Sequence, residues 1–458
     1  MRRTVVVNVV GLTPELLGEH TPFLSSWIGR GGMANAGPLT PAVTCSVQAT
    51  YLTGEKPSRH GIVANGWYFR EMDEIKFWRQ SNRLVESPKV WETAKREDPS
   101  FTCANLFWWY NMNSTVDYLV TPRPIYRADG VKLPDIYTEP AGFRDELQGR
   151  LGTFPLFNFW GPLTDIRSSQ WIADCARLTE EKMAPTLTLV YLPHLDYNLQ
   201  RLGPGDPALA RDLREIDRVC ERLIGFYEAR DVSVILLSEY GVTPVDHPVA
   251  LNRVLRRAGY ITVREELGQE ILIPGGSRAF AVADHQIAHV YVRHPRDLEP
   301  VRELLSGVPG VGELLDAEGK ARRGLAHPRS GELVALAEPG SWFSYYYWLD
   351  DRKAPDFAPN VDIHNKPGFD PAELFIDPAI SLPRVKASLR LLQKKLGFRY
   401  VMDLIPRHGD LVKGSHGLPA ETAAAGPLVA SNRPGLLKEG TIPAEGIHDL
   451  ILAHLRGE

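Results

Sequence analysis

The chain is poor in cysteine, nearly balanced in charge and free of long apolar runs. Its four cysteines, Cys45, Cys103, Cys175 and Cys220, are scattered. No CxxC pair occurs, so neither a zinc knuckle nor a disulfide framework is indicated, and reduced thiols are the expectation. Lysine plus arginine (52) almost cancel aspartate plus glutamate (56), leaving a net charge of -4. With no basic tail and no block of like charge, a nucleic-acid polymer is not an expected partner. The first apolar run is interrupted at Asn8 and is too short for a signal core or a membrane span. A cytoplasmic protein with no membrane partner is therefore expected. There is no internal repeat, and no low-complexity tract beyond an alanine-rich piece at 420–425. Nothing in the sequence speaks to oligomeric state.

What is present is an ordinary globular composition, 43% hydrophobic over 458 residues, enough for one large α/β domain with an insertion or for two domains. Residues 4–10 are a β-branched run closed by Gly11, which reads as a buried parallel strand. Thr13-Pro14-Glu15 then looks like a helix start. Residues 186–192 and 232–237 read as further strands, and 171–182, 300–305 and 443–455 as helices. Leu209, Leu213, Ile216, Cys220 and Leu223 keep helical spacing across 207–227. Residues 341–351 read as an aromatic strand, and 122–140 as an ordered, proline-rich loop. The aromatic run Phe107-Trp108-Trp109-Tyr110 either lines a substrate cleft or packs in the core.

Three places carry candidate chemistry. In residues 41–66, PAVTCSVQATYLTGEKPSRHGIVANG, Thr44 stands after a proline and before a helix-length segment. There its hydroxyl either caps a helix or lies beside a phosphate held by free backbone N–H groups. Asp196 follows the 186–192 strand, where catalytic groups of open α/β sheets collect. Asp362-Ile363-His364, if extended, puts both polar side chains on one face, which suits a metal or a phosphate. His285 and His289 lie four apart, but the residues around them read more like two strands about a turn than a helix.

Thr44, Leu52-Thr53-Gly54, Pro57, His60-Gly61-Ile62-Val63 and Asn65 together resemble the nucleophile segment of the nucleotide pyrophosphatase/phosphodiesterase family, within the alkaline phosphatase superfamily. The resemblance is convincing over about the first 250 residues, and Gly414-Ser415-His416-Gly417 is similar to that family's last metal-binding motif. It implies an alkaline-phosphatase-like core, a mostly parallel sheet between helices, over residues 1–250 and 385–458. Residues 251–384 then form a smaller inserted α+β cap. It implies two divalent ions, commonly zinc, and attack by Thr44 to give a phospho-threonine intermediate. The substrates would be small phosphodiesters or pyrophosphates, often nucleotide-like.

The ligand positions depart from that pattern. Asp196 and His416 match in type. Glu239 stands for an aspartate, Gln200 and Tyr240 for histidines, and Val10 for an aspartate; no ligand role passes to nearby Asn8. A single ion, or manganese or magnesium in place of zinc, is therefore open. His194, His285 and His364 are possible replacement ligands. A metal-dependent hydrolase is the expected function. The alternatives are a catalytically silent relative that binds a phosphorylated ligand or a partner protein, and a transferase or hydrolase of another ester on the same fold.

Overall fold

The computed structural model describes residues 1–128, 131–437 and 440–458. In chain order, the strands named below are β1 (Thr4–Val9), β2 (Met33–Ala36), β3 (Cys103–Leu106), β4 (Tyr118–Pro122), β5 (Ile136–Glu139), β6 (Leu187–Leu192), β7 (Ser233–Leu237), β8 (Ala279–Asp284), β9 (Ile287–Val292), β10 (Val311–Leu315), β11 (Leu333–Ala337), β12 (Leu428–Ser431) and β13 (Thr441–Ile442). The central sheet has nine of them, in the order β13-β2-β12-β7-β1-β6-β3-β4-β5. β7, β1, β6, β3 and β4 form a continuous parallel block, and β12 and β5 run against it. Every residue of β1, β6 and β7 is buried. Strands covered on both faces need no polar alternation, which is why they read as predominantly apolar runs.

The helices used below are α1 (Thr44–Thr53), α2 (Arg167–Met183), α3 (His194–Leu202), α4 (Leu209–Glu228), α5 (Pro383–Lys395) and α6 (Gly446–Arg456), of which α5 has no buried residue. α4 turns Leu213, Ile216, Cys220 and Leu223 inward, as their spacing requires. Among the described residues, no helix is long and apolar enough to cross a membrane.

A second, all-antiparallel sheet has the order β8-β9-β11-β10. Its apolar core takes Leu251, Leu255, Tyr345 and Trp348, and also Tyr68, Ile75 and Phe77 from far upstream. β8 and β9 form a tight hairpin whose turn is His285-Gln286. His285 has φ +60°, a left-handed conformation uncommon for a bulky side chain.

The structure corrects several local expectations. Thr13-Pro14-Glu15 opens only a three-residue 3-10 turn, Pro14–Leu16, with no side-chain cap. The aromatic strand shrinks to Gly340–Phe343, after which Tyr345 to Trp348 pack irregularly in the second core. Rings that fill a core from both sides do not need a ladder to hold them. The 122–140 loop carries short strands at Ile125–Tyr126 and Lys132–Leu133 before β5; residues 129 and 130 lie outside the described residues. Residues 361–365 form turns rather than a strand, so Asp362 and His364 do not share a strand face.

Candidate active site

β1, β6 and β7 lie side by side, and their carboxyl ends deliver three parts of one buried site. Register sets Asn8 opposite Leu237 of β7 and Tyr191 of β6. The chain then places Asp196 in the first turn of α3 and Glu239-Tyr240 just past β7.

Thr44 is the first residue of α1, and its predecessor Val43 is extended and offers no cap. The helix therefore starts without an N-cap side chain, which leaves the first-turn amides other than the one Asn65 takes open to an anion. Asn65 reaches one of them, since its Oδ1 accepts from Cys45 N at 2.9 Å. His60 holds the following loop against α1. Its Nδ1 accepts from Ile62 N at 3.1 Å, so Nε2 carries the proton and donates to Thr50 Oγ1 at 3.0 Å. Burial pushes this imidazole down to about 3, so it stays neutral. The histidine of the Pro-x-x-His-Gly-Ile run is thus a latch on α1.

Tyr240 connects the two halves of the site. Its hydroxyl is 3.0 Å from Thr44 Oγ1 and donates to Asp196 Oδ1 at 3.4 Å. Either hydroxyl can donate in the Thr44–Tyr240 pair, and donation by Tyr240 to Asp196 leaves its oxygen able to accept from Thr44. Gln200 Nε2 donates to Asp196 Oδ2 at 2.7 Å. Burial raises the Asp196 carboxyl to about 7, against the opposing pull of the Gln200 and Tyr240 hydrogen bonds. His416 donates from Nδ1 to Ala42 O at 2.8 Å, which leaves Nε2 as a lone pair 3.8 Å from Asp196 Oδ1. Burial, then neighbouring His285, hold His416 well below the usual imidazole range.

Glu239 Oε1 accepts from both Asn8 Nδ2 (2.6 Å) and Gln48 Nε2 (2.7 Å). Burial raises this carboxyl to about 8, against those two amides and Thr44. Asn8 thus belongs to the site even though it stands two residues before the motif position. Alternation along β1 was the available signal, because residues 8 and 10 share a face. Gln48, one turn into α1, gave no sequence signal. A void of about 10 Å³ bordered by Glu239, Tyr240 and Tyr51 is roughly what one water needs.

The β8–β9 turn closes the site from above. Asp284 accepts from Asn65 N at 2.7 Å and from Asn65 Nδ2 at 3.1 Å, and pairs with His285 Nδ1 at 2.8 Å. The rings of Tyr240, His416, His285 and Phe369 form one continuous stack, with successive centroids 3.6, 3.7 and 3.7 Å apart. Beyond Phe369 stand Trp78 and Trp160, at 6.1 and 5.5 Å, and Trp109 lies 4.9 Å from Trp78. Of the Phe107–Tyr110 run only Trp109 is half-exposed; Phe107, Trp108 and Tyr110 are core residues.

The structure therefore gathers Thr44, Asp196, Gln200, Glu239, Tyr240, His285 and His416. It does not bring in Asp362, which binds the Asn365 amide, or His364, an exposed residue among Lys132, Arg79 and Arg123.

The donor set fits one ion better than two. On the Asp196 side are a carboxylate, the Nε2 lone pair of His416 and the buried, unpartnered Oε1 of Gln200. His416 donating its other ring proton to a carbonyl is the usual support for a ligating imidazole. On the Glu239 side, Val10 offers nothing and Tyr240 is spent between Thr44 and Asp196. Glu239 Oε2, Thr44 and the unpartnered amide oxygen of Asn8 are all oxygens with no imidazole among them, a poorer set for a tight second zinc site.

Residues 4–370 match the family described as type I phosphodiesterase / nucleotide pyrophosphatase. A Schizosaccharomyces pombe protein described as an uncharacterized pyrophosphatase/phosphodiesterase is 26% identical over 245 residues, 51% of this chain and 41% of its own length. The match thus spans less than half of that relative. Murine ectonucleotide pyrophosphatase/phosphodiesterase 5, solved as an inactive variant with AMP, superposes with a TM-score of 0.60 at 14% identity, covering 100% of this chain and 95% of its own. Phosphonoacetate hydrolase from Sinorhizobium meliloti 1021, solved with phosphonoformate, gives 0.62 at 13% identity, covering 99% and 96%. These neighbours show an alkaline-phosphatase-like fold. The chain belongs to the type I phosphodiesterase / nucleotide pyrophosphatase family.

Proposed function

We propose that this protein hydrolyses a phosphodiester or pyrophosphate bond in a small, nucleotide-like substrate, with Thr44 as nucleophile and a phospho-threonine intermediate. The observation that carries the reading is the chain of contacts from Thr44 Oγ1 through Tyr240 Oη to Asp196 Oδ1, at the uncapped start of α1. Thr44 passes its proton to Tyr240 as Tyr240 passes its own to Asp196. The threonine oxygen bonds to phosphorus and the leaving group departs. Water then attacks the phosphorus of phospho-threonine and its proton leaves with the phosphate product; the bond to the threonine oxygen breaks, and the proton held on Asp196 returns to Thr44 along the same path. The amides of the first turn of α1 face the charge that grows on the phosphoryl oxygens.

Asp196, His416 and Gln200 would hold one divalent ion, zinc before manganese or magnesium. When bound, it supplies positive charge against the phosphoryl group. The half-buried Trp78, Trp109 and Trp160 offer flat surfaces for a base or aromatic leaving group. The AMP and phosphonoformate complexes of the neighbours support a small phosphorylated ligand. Residues 251–384, which carry the β8–β9 turn, act as the cap over it.

A second reading has a specific observation behind it. Both site carboxylates are already served by protein donors, Asn8 and Gln48 on one and Gln200 and Tyr240 on the other. That pattern suits a silent relative that only binds a phosphorylated ligand. Elemental analysis of purified protein, beside an assay with bis(p-nitrophenyl) phosphate and added Zn²⁺, Mn²⁺ or Mg²⁺, separates the two. Metal-dependent turnover that Thr44→Ala abolishes supports the hydrolase; no turnover with any ion supports the silent binder.

A further inference from the structure

Outside the active site, His194 in the first turn of α3 is buried, yet neither ring nitrogen makes a hydrogen bond. Its Nε2 instead faces two carboxylates of α4, Asp212 Oδ1 at 3.4 Å and Glu215 Oε2 at 3.5 Å. Asp212 and Glu215 are three residues apart, so one face of α4 presents both. The remaining oxygen of each carboxylate is engaged elsewhere. Asp212 Oδ2 accepts from Asn198 Nδ2 at 2.7 Å, and Glu215 Oε1 from Arg211 Nε at 3.0 Å. One free atom per residue is left, and the three lie within 4.8 Å of one another.

The separations are longer than a tight proton-sharing pair and match ligands of one shared ion. A protonated imidazole donating to a carboxylate closes to about 2.7–2.9 Å. Two ligands on a tetrahedral ion with bonds of about 2.0–2.1 Å stand about 3.4 Å apart. We propose that His194, Asp212 and Glu215 bind a divalent transition-metal ion of the zinc class, leaving its fourth position to water, and that it pins α3, the carrier of Asp196 and Gln200, to α4. This does not rest on the hydrolase reading.

Chelator-stripped full-length protein is dialysed against Zn²⁺ and, separately, Co²⁺. Glu215→Gln, at a half-exposed position, is expected to remove one Zn²⁺ equivalent or weaken it at least tenfold, and to abolish the matching Co²⁺ absorption band. The Asp196→Asn, His416→Ala double variant is expected to keep both. Unchanged zinc binding in Glu215→Gln, or loss of the band in the double variant, overturns the assignment.

A different observation carries a second inference. Every described residue of α5 is at least partly exposed. Leu382, Val385, Leu389, Leu392 and Leu396 recur every three or four residues and are 50–66% exposed, one open apolar stripe. Residues 382–401 contain six lysines and arginines and no acid, in a chain of net charge -4. Lys386 and Arg390 pair with Asp403, whereas Arg384, Lys394, Lys395 and Arg399 have no ion pair among the described residues. A twofold contact between copies would set this basic segment against itself. An apolar stripe flanked by cations suits an anionic lipid headgroup layer, in which the helix lies flat.

We infer that α5 docks this protein on anionic membrane surfaces. Sedimentation with vesicles of phosphatidylcholine, alone or with phosphatidylserine, tests it. Binding is expected only with phosphatidylserine, falling at least tenfold in Leu389→Ser, Leu396→Ser and falling with added salt. No binding to either vesicle overturns the inference, as does a wild-type dimer that this variant splits.

Discussion

Tyr240 lies flat against His416, with ring centroids 3.6 Å apart and planes 9° apart. The stack aims the phenol at Thr44 on one side and Asp196 on the other. Tyr240→Phe keeps the stacking ring and removes only the relay. Turnover of a chromogenic phosphodiester is expected to fall ~10²-fold. The loss of unfolding free energy is expected to be only about 1 kcal/mol, read by urea denaturation. Wild-type turnover in this variant sinks the proton path.

Thr44→Ala is expected to reduce turnover by at least ~10³-fold while leaving the circular dichroism spectrum unchanged. Thr44→Ser keeps the hydroxyl and is expected to retain measurable turnover. Mass spectrometry of acid-quenched wild-type protein is expected to find one added phosphoryl group on the tryptic peptide that carries Thr44.

Glu239 takes two buried amide donors on one oxygen. Glu239→Gln can offer its own carbonyl to both and is expected to cost about 1 kcal/mol or less. Glu239→Ala strands Asn8 and Gln48 and opens a cavity, and is expected to cost about 3 kcal/mol. Equal midpoints for the two variants in denaturant titrations would show that the amides do not depend on this carboxyl.

His60 is held at about 3 when folded, against an ordinary value of 6.5. Below pH 6.5 the unfolded chain binds a proton that the folded chain refuses, so this residue's contribution to stability is lost as pH falls towards 3. The slope is about 1.4 kcal/mol per pH unit across that window. His60→Gln removes the titration. Its deficit against wild type, measured at pH 7, is expected to shrink by about 2 kcal/mol at pH 5. A deficit that stays constant with pH would show that His60 is protonated in the folded protein.

The parallel core was legible because it is written in local pattern. Residues 4–10, 186–192 and 232–237 are predominantly apolar runs, the first interrupted at Asn8, and a strand buried on both faces admits little else. Order along the chain also marked Thr44, Asp196, Glu239 and His416, each tied to the end of an element or to a short motif. The sequence by itself therefore determined which segments could supply chemistry.

Only the tertiary structure decided how those segments meet. Asn8 and Gln48 lie 40 residues apart and converge on one Glu239 oxygen because β1, β7 and α1 pack together there. The residues around His285 and His289 read as two strands about a turn, but the place of that turn above Thr44 follows from two hydrogen bonds between Asp284 and Asn65. Asp362 and His364 matched a metal pattern, but the chain turns there, and the shared face exists only in a strand. Periodicity is a property of one segment, whereas a site is a set of distances between segments, set by packing that no short window of sequence contains.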